Sequence, residues 1–345
     1  MYKRQQHCYP YCYWSDSPVI YRAIPSWYVA VTTIKENLLN ANRKISWIPG
    51  HIKSGRFGNF LDGAIDWAIS RNRVWGTPIP VWQNDLSGNF VCIGSIDELA
   101  QKTGVTLDDL HRENVDPLTF EIDGEEGTYR RIDEVLDCWF ESGSMPYAQL
   151  HYPFENADVF ESGFPAEFIA EGLDQTRGWF YTLTVLAAGL FDQPAFRNVI
   201  VNGLVMAQDG KKMSKSLRNY TPPDALMEEF GADALRLYSI TSGLVKGEEL
   251  RFSDSGVKEM VRRALLPWYN AFSFLKTYSE IDDWSPDKGM HVGNNILDLW
   301  IGSRLQTLKV RISEDMDGYR LYNVVTKLFN FIVDSFNILV IFLLN

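Results

Sequence analysis

Cysteine is scarce in this chain: Cys8, Cys12, Cys92 and Cys138 are the only four in 345 residues. They are too few and too scattered for a disulfide scaffold, which fits a reducing compartment, with the cytosol as the default. Positive charge is not in excess either. The formal net charge of −11 argues against a protein that coats nucleic acid, though it leaves room for a local basic surface. No apolar run approaches the about 20 residues that a bilayer-spanning helix needs. The closing stretch Phe336–Leu344 is far too short, and no apolar segment of a leader peptide follows Met1. No membrane association is expected. Metal ligands are thin as well: His7, Cys8 and Cys12 lie close together but no second pair follows nearby, so no zinc is expected in this segment. Apolar material is plentiful, at 46% of residues; the chain can bury a sizeable core, and its length suggests about two or three domains.

Along the chain, residues 44–85 mix aromatic and basic side chains. The stretch 85–131 is polar, acidic and rich in turn residues, including Asp123-Gly124 and Glu126-Gly127, and reads as a small insertion of hairpins and a short helix. An α/β alternation follows. Phe168-Ile169-Ala170 predicts a short strand, and Asp174 is a suitable N-cap for a helix with an apolar stripe at Trp179, Leu183, Leu186 and Leu190. Val199-Ile200-Val201 predicts the second strand of a βαβ unit. Ligands of such sheets bind beyond the carboxyl ends of the strands. Glu171, Gly172, Asp174 and Gln175 fall there on one side, and Asn202, Gly203 and Met206 on the other. Gly231 reads as a C-cap, with another helix from Ala232. From Asp254 onward 3.6-period segments predict a helical bundle: Val261, Leu265, Trp268, Phe272 and Leu275, then residues 294–313 and 320–344.

The sharpest local signal is Gln208-Asp209-Gly210-Lys211-Lys212-Met213-Ser214-Lys215-Ser216. Lys212 and Lys215 place two ammonium groups three residues apart on a small, glycine-hinged, polar loop. Such a loop can close over a triphosphate and neutralise the charge that builds up as pyrophosphate leaves. A solvated basic turn is the bland alternative. Glu171 and Asp174, also three apart, can both reach one polar ligand, and a ribose hydroxyl pair or an α-ammonium suits them.

The string Lys-Met-Ser-Lys-Ser resembles the second signature of the class I aminoacyl-tRNA synthetases. Glu171-Gly172-Leu173-Asp174-Gln175-Thr176-Arg177-Gly178-Trp179-Phe180 and Cys138-Trp139-Phe140-Glu141-Ser142-Gly143-Ser144-Met145-Pro146-Tyr147 are similar to segments that mark the isoleucyl type; valyl and leucyl enzymes carry other residues at the first of them. The resemblance runs from about Tyr9 to about Asp334, with wording nearest the eukaryotic cytosolic type.

That resemblance implies an α/β chain: the C-terminal half of a class I synthetase Rossmann-like catalytic domain, followed by an α-helical bundle. Residues 1–43 would be the end of the editing insertion with its return strand. Residues 44–253 would be the second half of the catalytic domain, with the insertion at about 85–131. Residues 254–345 would begin the anticodon-binding domain, truncated. The implied reaction is ATP-dependent activation of isoleucine, with Mg²⁺ assisting, and transfer of the acyl group to tRNA(Ile). Lys212, Met213, Ser214, Lys215 and Ser216 would form the ATP-binding loop, with Lys212 and Lys215 catalytic. Glu171, Gly172, Asp174 and Gln175 would bind the aminoacyl-adenylate, and Trp139 and Trp179 would wall the isoleucine pocket. Asn202, Gly203 and Met206 would line the adenine side. Arg71 and Arg73, and farther on Arg262 and Arg263, are candidate tRNA contacts, with salt-bridged surface pairs as the alternative. A multi-synthetase complex is a further partner the family allows. His51-Ile52 is followed by Lys53-Ser54, and the first signature, His-Ile-Gly-His, occurs nowhere in the 345 residues; alone, the chain is expected to be inactive and unable to edit. A tRNA-binding paralogue without catalysis, or an amino-acid or nucleotide sensor, is the rival reading.

Overall fold

A computed structural model describes residues 9–12, 15–214, 217–285 and 295–336. His7, Cys8, Lys215, Ser216 and the apolar residues after Phe336 lie outside the described residues. The chain divides into two compact units, Met1–Thr32 with Ile65–Glu141, and Thr33–Ala64 with Ser142–Asn345.

The first unit is built on a four-stranded antiparallel sheet in the order Phe90–Cys92, Val81–Asn84, Tyr129–Arg131, Thr119–Phe120. Alternation sends Trp82, Phe120 and Tyr129 to one face, where they bury with Ile93 and Leu99. The Phe120 and Tyr129 rings stack at 5.1 Å, and Trp82 Nε1 donates to the Leu118 carbonyl at 2.9 Å. Leu99 comes from the helix Ile96–Thr103. Ser95 Oγ caps that helix by accepting from the Glu98 amide at 3.0 Å, and Gly104, at φ 73°, ends it. The expected hairpins and helix of residues 85–131 are therefore the body of this unit.

In the second unit, α1 (Lys35–Lys44) leads into β1 (Ser46–Ile48). After the first unit's residues come β2 (Ala166–Gly172), α2 (Trp179–Phe191) and β3 (Phe196–Asn202). The sheet runs β2-β3-β1 and is parallel throughout. Its central strand is the most apolar: Phe196, Val199, Ile200 and Val201 are all buried, as the middle of a covered parallel sheet requires. Phe180, Leu183, Val185, Ala187 and Ala188 of α2 bury as well, and the β2-α2-β3 crossover supplies that cover. Trp47 of β1 fixes the base, with its ring 4.7 Å from Phe57 and 5.8 Å from Phe180. Its Nε1 donates to the buried Asn42 Oδ1 at 2.9 Å. Asn42 in turn donates to the Lys53 carbonyl at 3.0 Å, so this buried polar pair is satisfied.

The rest of the unit is largely helical: α3 (Pro223–Phe230), α4 (Ala232–Thr241), α5 (Asp254–Met260), α6 (Leu266–Ile281), α7 (Ile296–Asp317) and α8 (Leu321–Phe331). Gly231, at φ 85°, separates α3 from α4. The stripe expected at Val261, Leu265, Trp268, Phe272 and Leu275 is not a buried face. Val261–Leu265 forms a π-helical turn, which breaks the 3.6-residue phase, and Trp268, Phe272 and Leu275 are about half exposed. Arg262 and Arg263 are both paired with Glu259, the salt-bridged alternative. The α7–α8 hairpin is pinned by Asp315, whose buried carboxylate accepts from Arg320 Nε at 2.8 Å, from Asn323 at 3.3 Å and from Lys327. At its turn, Tyr319 stacks on Phe168 at 5.2 Å and donates to Glu167 Oε1 at 3.3 Å, so the hairpin docks on the start of β2.

The Lys327 and Arg320 donors hold the Asp315 carboxyl down at about 2, against an ordinary 3.8. A depressed folded-state value contributes stability that is present above the ordinary one and lost as pH falls toward the folded one. Asp315→Asn should lower the urea midpoint at neutral pH, and the gap from the unsubstituted chain should shrink as the pH approaches the folded value.

Candidate active site

The ends of β2 and β3 form the floor. In register, Glu171 faces Val201 and Gly172 faces Asn202, so Glu171, Gly172 and Asn202 sit together where the two strands stop. The chain then tightens into a 3₁₀ turn, Leu173–Arg177. Asp174 lies inside that turn and does not cap α2, contrary to the sequence expectation. The inserted turn moves the helix start to Trp179, behind Gly178, which offers no side chain. Gln175 does the capping: its Oε1 accepts from the Trp179 amide at 3.0 Å and its Nε2 donates to Asp174 Oδ2 at 2.9 Å. Asp174 instead folds back over the strand end, where a Cβ on Gly172 would lie 2.6 Å from its Oδ1. Glu171 and Asp174 are both exposed, so a ligand can reach both carboxylates, with that of Asp174 held by Gln175.

Beneath the turn, the fully buried Thr176 donates to the Leu173 carbonyl at 2.8 Å and accepts from Arg56 Nε at 2.9 Å. Trp179 Nε1 donates to the Ser142 carbonyl at 2.9 Å, which fixes the indole of the expected pocket wall. Trp139 belongs to the first unit. It is 42% exposed, too open for a core residue, and its amide donates to Asp137 Oδ1 at 2.8 Å. Asp137 also receives Arg71, which donates to the Ala68 and Ser70 carbonyls too; Arg71 is thus held by its own unit. The Arg73 carbonyl accepts from Arg112 Nη1 at 2.9 Å.

From Asn202 the chain passes directly into the lysine loop. The Gly203 amide donates to the Leu244 carbonyl at 2.7 Å, and a Cβ on Gly203 would come within 1.7 Å of the Glu248 carbonyl oxygen. Glycine is the sole residue that fits there. Next, β4 (Val205–Met206) pairs in parallel with β5 (Leu250–Arg251). On its other side Met206 bridges Lys212. Between them Gly210, at φ 79°, allows the chain to reverse, with the Ala207 amide donating to the Lys211 carbonyl at 2.8 Å. Asp209 accepts from the Lys211 amide at 3.0 Å, and this bond, with the Lys211 ammonium beside it, holds the Asp209 carboxyl below its usual range. Asn219, which no sequence pattern singles out, staples the loop. Its Nδ2 donates to the Lys212 carbonyl at 3.1 Å and its Oδ1 accepts from the Ser214 amide at 2.9 Å. Lys212 is exposed, while Met213 and Ser214 are half-buried.

A family model described as "tRNA synthetases class I (I, L, M and V)" matches residues 2–251. The chain belongs to the class I tRNA synthetases. It is similar to the isoleucine–tRNA ligase of Bdellovibrio bacteriovorus, at 54% identity over 96% of this chain and 31% of that one. The isoleucine–tRNA ligase of Treponema denticola is 52% identical over 96% of this chain and 32% of its own length. A cytoplasmic isoleucine–tRNA ligase of Arabidopsis thaliana is 51% identical over 97% and 29%. The synthetase chain thus spans about a third of the length of the curated relatives it matches. Two solved structures share the fold at low identity. Mycobacterium tuberculosis methionyl-tRNA synthetase in complex with methionyl-adenylate has a TM-score of 0.61 and 17% identity, over 91% of this chain and 52% of that one. The Agrobacterium radiobacter K84 agnB2 LeuRS-tRNA-LeuAMS complex has a TM-score of 0.55 and 20% identity, over 79% and 38%. Among the described residues, no helix of this synthetase is long and apolar enough to cross a membrane.

Two substitutions separate the scaffold from the chemistry. Gly203→Ala drives a Cβ into backbone and should cost about 3 kcal/mol or more, read as a fall in the urea midpoint. Gln175→Ala removes the cap of α2 and should cost only about 1 kcal/mol by the same measurement.

Proposed function

We propose that this chain carries the lysine-loop half of the catalytic domain of an isoleucine–tRNA ligase, with the start of its anticodon-binding domain; the whole ligase activates isoleucine with ATP and transfers it to tRNA(Ile). The observation that carries this reading is a short path: Gly172 pairs with Asn202, the chain runs on from Asn202 through Gly203 to Met206, and Met206 bridges Lys212. It links the adenylate-binding candidates at the end of the three-stranded sheet to the phosphate-binding candidate beside the two-stranded β4–β5 ribbon. The identity to isoleucine–tRNA ligases over nearly the whole chain supports isoleucine as the amino acid.

In this reading the isoleucine carboxylate attacks the α-phosphate of ATP and pyrophosphate leaves. Lys212 and Lys215 offset the charge that accumulates on the phosphates, and no covalent nucleophile is needed. Glu171, Gly172, Asp174 and Gln175 hold the ribose and the α-ammonium, with the Asp174 carboxylate oriented by Gln175. Trp179 supplies a rigid wall for the isoleucine side chain. Asn202 and Met206 line the adenine side, where the buried Gly203 contributes backbone alone. Among the described residues no three His, Cys, Asp or Glu side chains are gathered to hold a metal ion. The described residues thus offer no ready cage for Mg²⁺, and ATP would bring the ion on its own phosphate oxygens.

The functional boundaries follow the same reading: residues 1–43 close the editing insertion, 44–253 form the second half of the catalytic domain, and 254–345 begin the anticodon-binding helices. The cytosol is the compartment, and a multi-synthetase complex an additional partner. In the full-length ligase carrying this sequence, Lys212→Ala and Lys215→Ala should each lower isoleucine-dependent ATP–pyrophosphate exchange by roughly 10²–10³-fold. The segment on its own should show no exchange. Unchanged exchange in both lysine variants would refute the assignment, and a sensor that leaves tRNA alone would be revealed by filter binding with tRNA(Ile).

A further inference from the structure

Arg251 is bound into the same ribbon as the lysine loop. It lies directly opposite Met206 in the parallel β4–β5 pair, and Met206 bridges Lys212 on its other side. Residues directly opposite one another in a ladder project from the same face. Lys212 and Arg251 therefore flank Met206 on one face, with their backbones roughly 10 Å apart at two strand spacings. Two long cationic side chains at that separation can converge on a single pyrophosphate.

The guanidinium also lies beside the turn of the loop. A Cβ built on Gly210 would be 3.4 Å from Arg251 Cζ, 3.4 Å from Nε and 3.5 Å from Nη2. Near-equal distances to three atoms of one plane mean that the guanidinium presents its face to the side of the turn that the glycine leaves open. Arg251 is exposed, and among the described residues no carboxylate or carbonyl engages its guanidinium or the Lys212 ammonium. The nearest acid of the turn, Asp209, is taken by Lys211. A planar fork with free donors beside the lysine loop is suited to two oxygens of a phosphate.

We propose that Arg251 is a further polyphosphate-contacting residue of this site, acting beside Lys212 on the pyrophosphate half of ATP. This rests on the reading of Lys212 as a phosphate ligand. The test titrates inorganic pyrophosphate into the intact protein carrying this sequence, with Arg236→Gln as an exposed control on α4. Arg251→Gln should weaken pyrophosphate binding by roughly tenfold, as loss of a charge-assisted pair does. Arg251→Lys should recover part of it, since it keeps the charge and loses the fork. Arg236→Gln should bind as the unsubstituted protein does. If Lys212→Gln loses affinity while Arg251→Gln does not, Arg251 merely packs on Gly210: the proposal fails and the lysine reading stands. If the unsubstituted protein does not bind pyrophosphate, both fall. Should circular dichroism show Arg251→Gln unfolded, Arg251→Lys decides alone, and undiminished affinity overturns the proposal.

Discussion

The contact between Gly203 and the Glu248 carbonyl, at a point where a Cβ would stand 1.7 Å away, sets the geometry of everything beyond the strand ends. Because the backbone of residues 243–248 can lie against Gly203, β5 arrives in register with β4, and the amides of Leu250 and Phe252 find the carbonyls of Leu204 and Met206 at 2.9 Å. Met206, held on one side by Arg251, takes Lys212 on the other. A side chain at residue 203 would move β5 and with it the lysine loop. Glycine here is a requirement of close approach, not of an unusual backbone angle.

The parts of this arrangement that were legible in the sequence are those with a local pattern. The β2-α2-β3 unit showed in alternating apolar runs, Gly231 in its place between two helical patterns, and the first unit's hairpins in clustered turn residues. The parts that were not legible depend on partners distant in the chain. β4 and β5 are dipeptides, too short to carry a period, and each is a strand only because the other is there. Asp174 satisfies every local rule for an N-cap, but the 3₁₀ turn displaces the helix beyond its reach and the longer Gln175 takes over. Asn219 works because an amide can donate to Lys212 and accept from Ser214 at once, a role that leaves no periodic trace. The π turn at Val261–Leu265 breaks the phase on which the helical stripe was read.

Rigidity under the site comes from aromatic packing. Trp47 touches Phe57 and Phe180 and hands its one polar atom to Asn42, so the sheet's base is fixed without leaving a buried donor unpaired. At the start of β2, Tyr319 stacks on Phe168 and bonds Glu167, while the same strand ends in Glu171 and Gly172. One short strand therefore joins the helical hairpin to the adenylate-binding candidates.

The order of the sheet also governs the order in which it can form. Of the three described strands β1 is made first during synthesis, yet among them it pairs with β3 and not with β2, so that pairing waits until the chain has been extended through Asn202. All of the first unit's residues from Ile65 to Glu141 emerge in that interval and can close their own antiparallel sheet from nearby segments. Pairings between distant segments are slow to form. The Trp47 strand therefore meets this partner only after its surroundings have had time to fold.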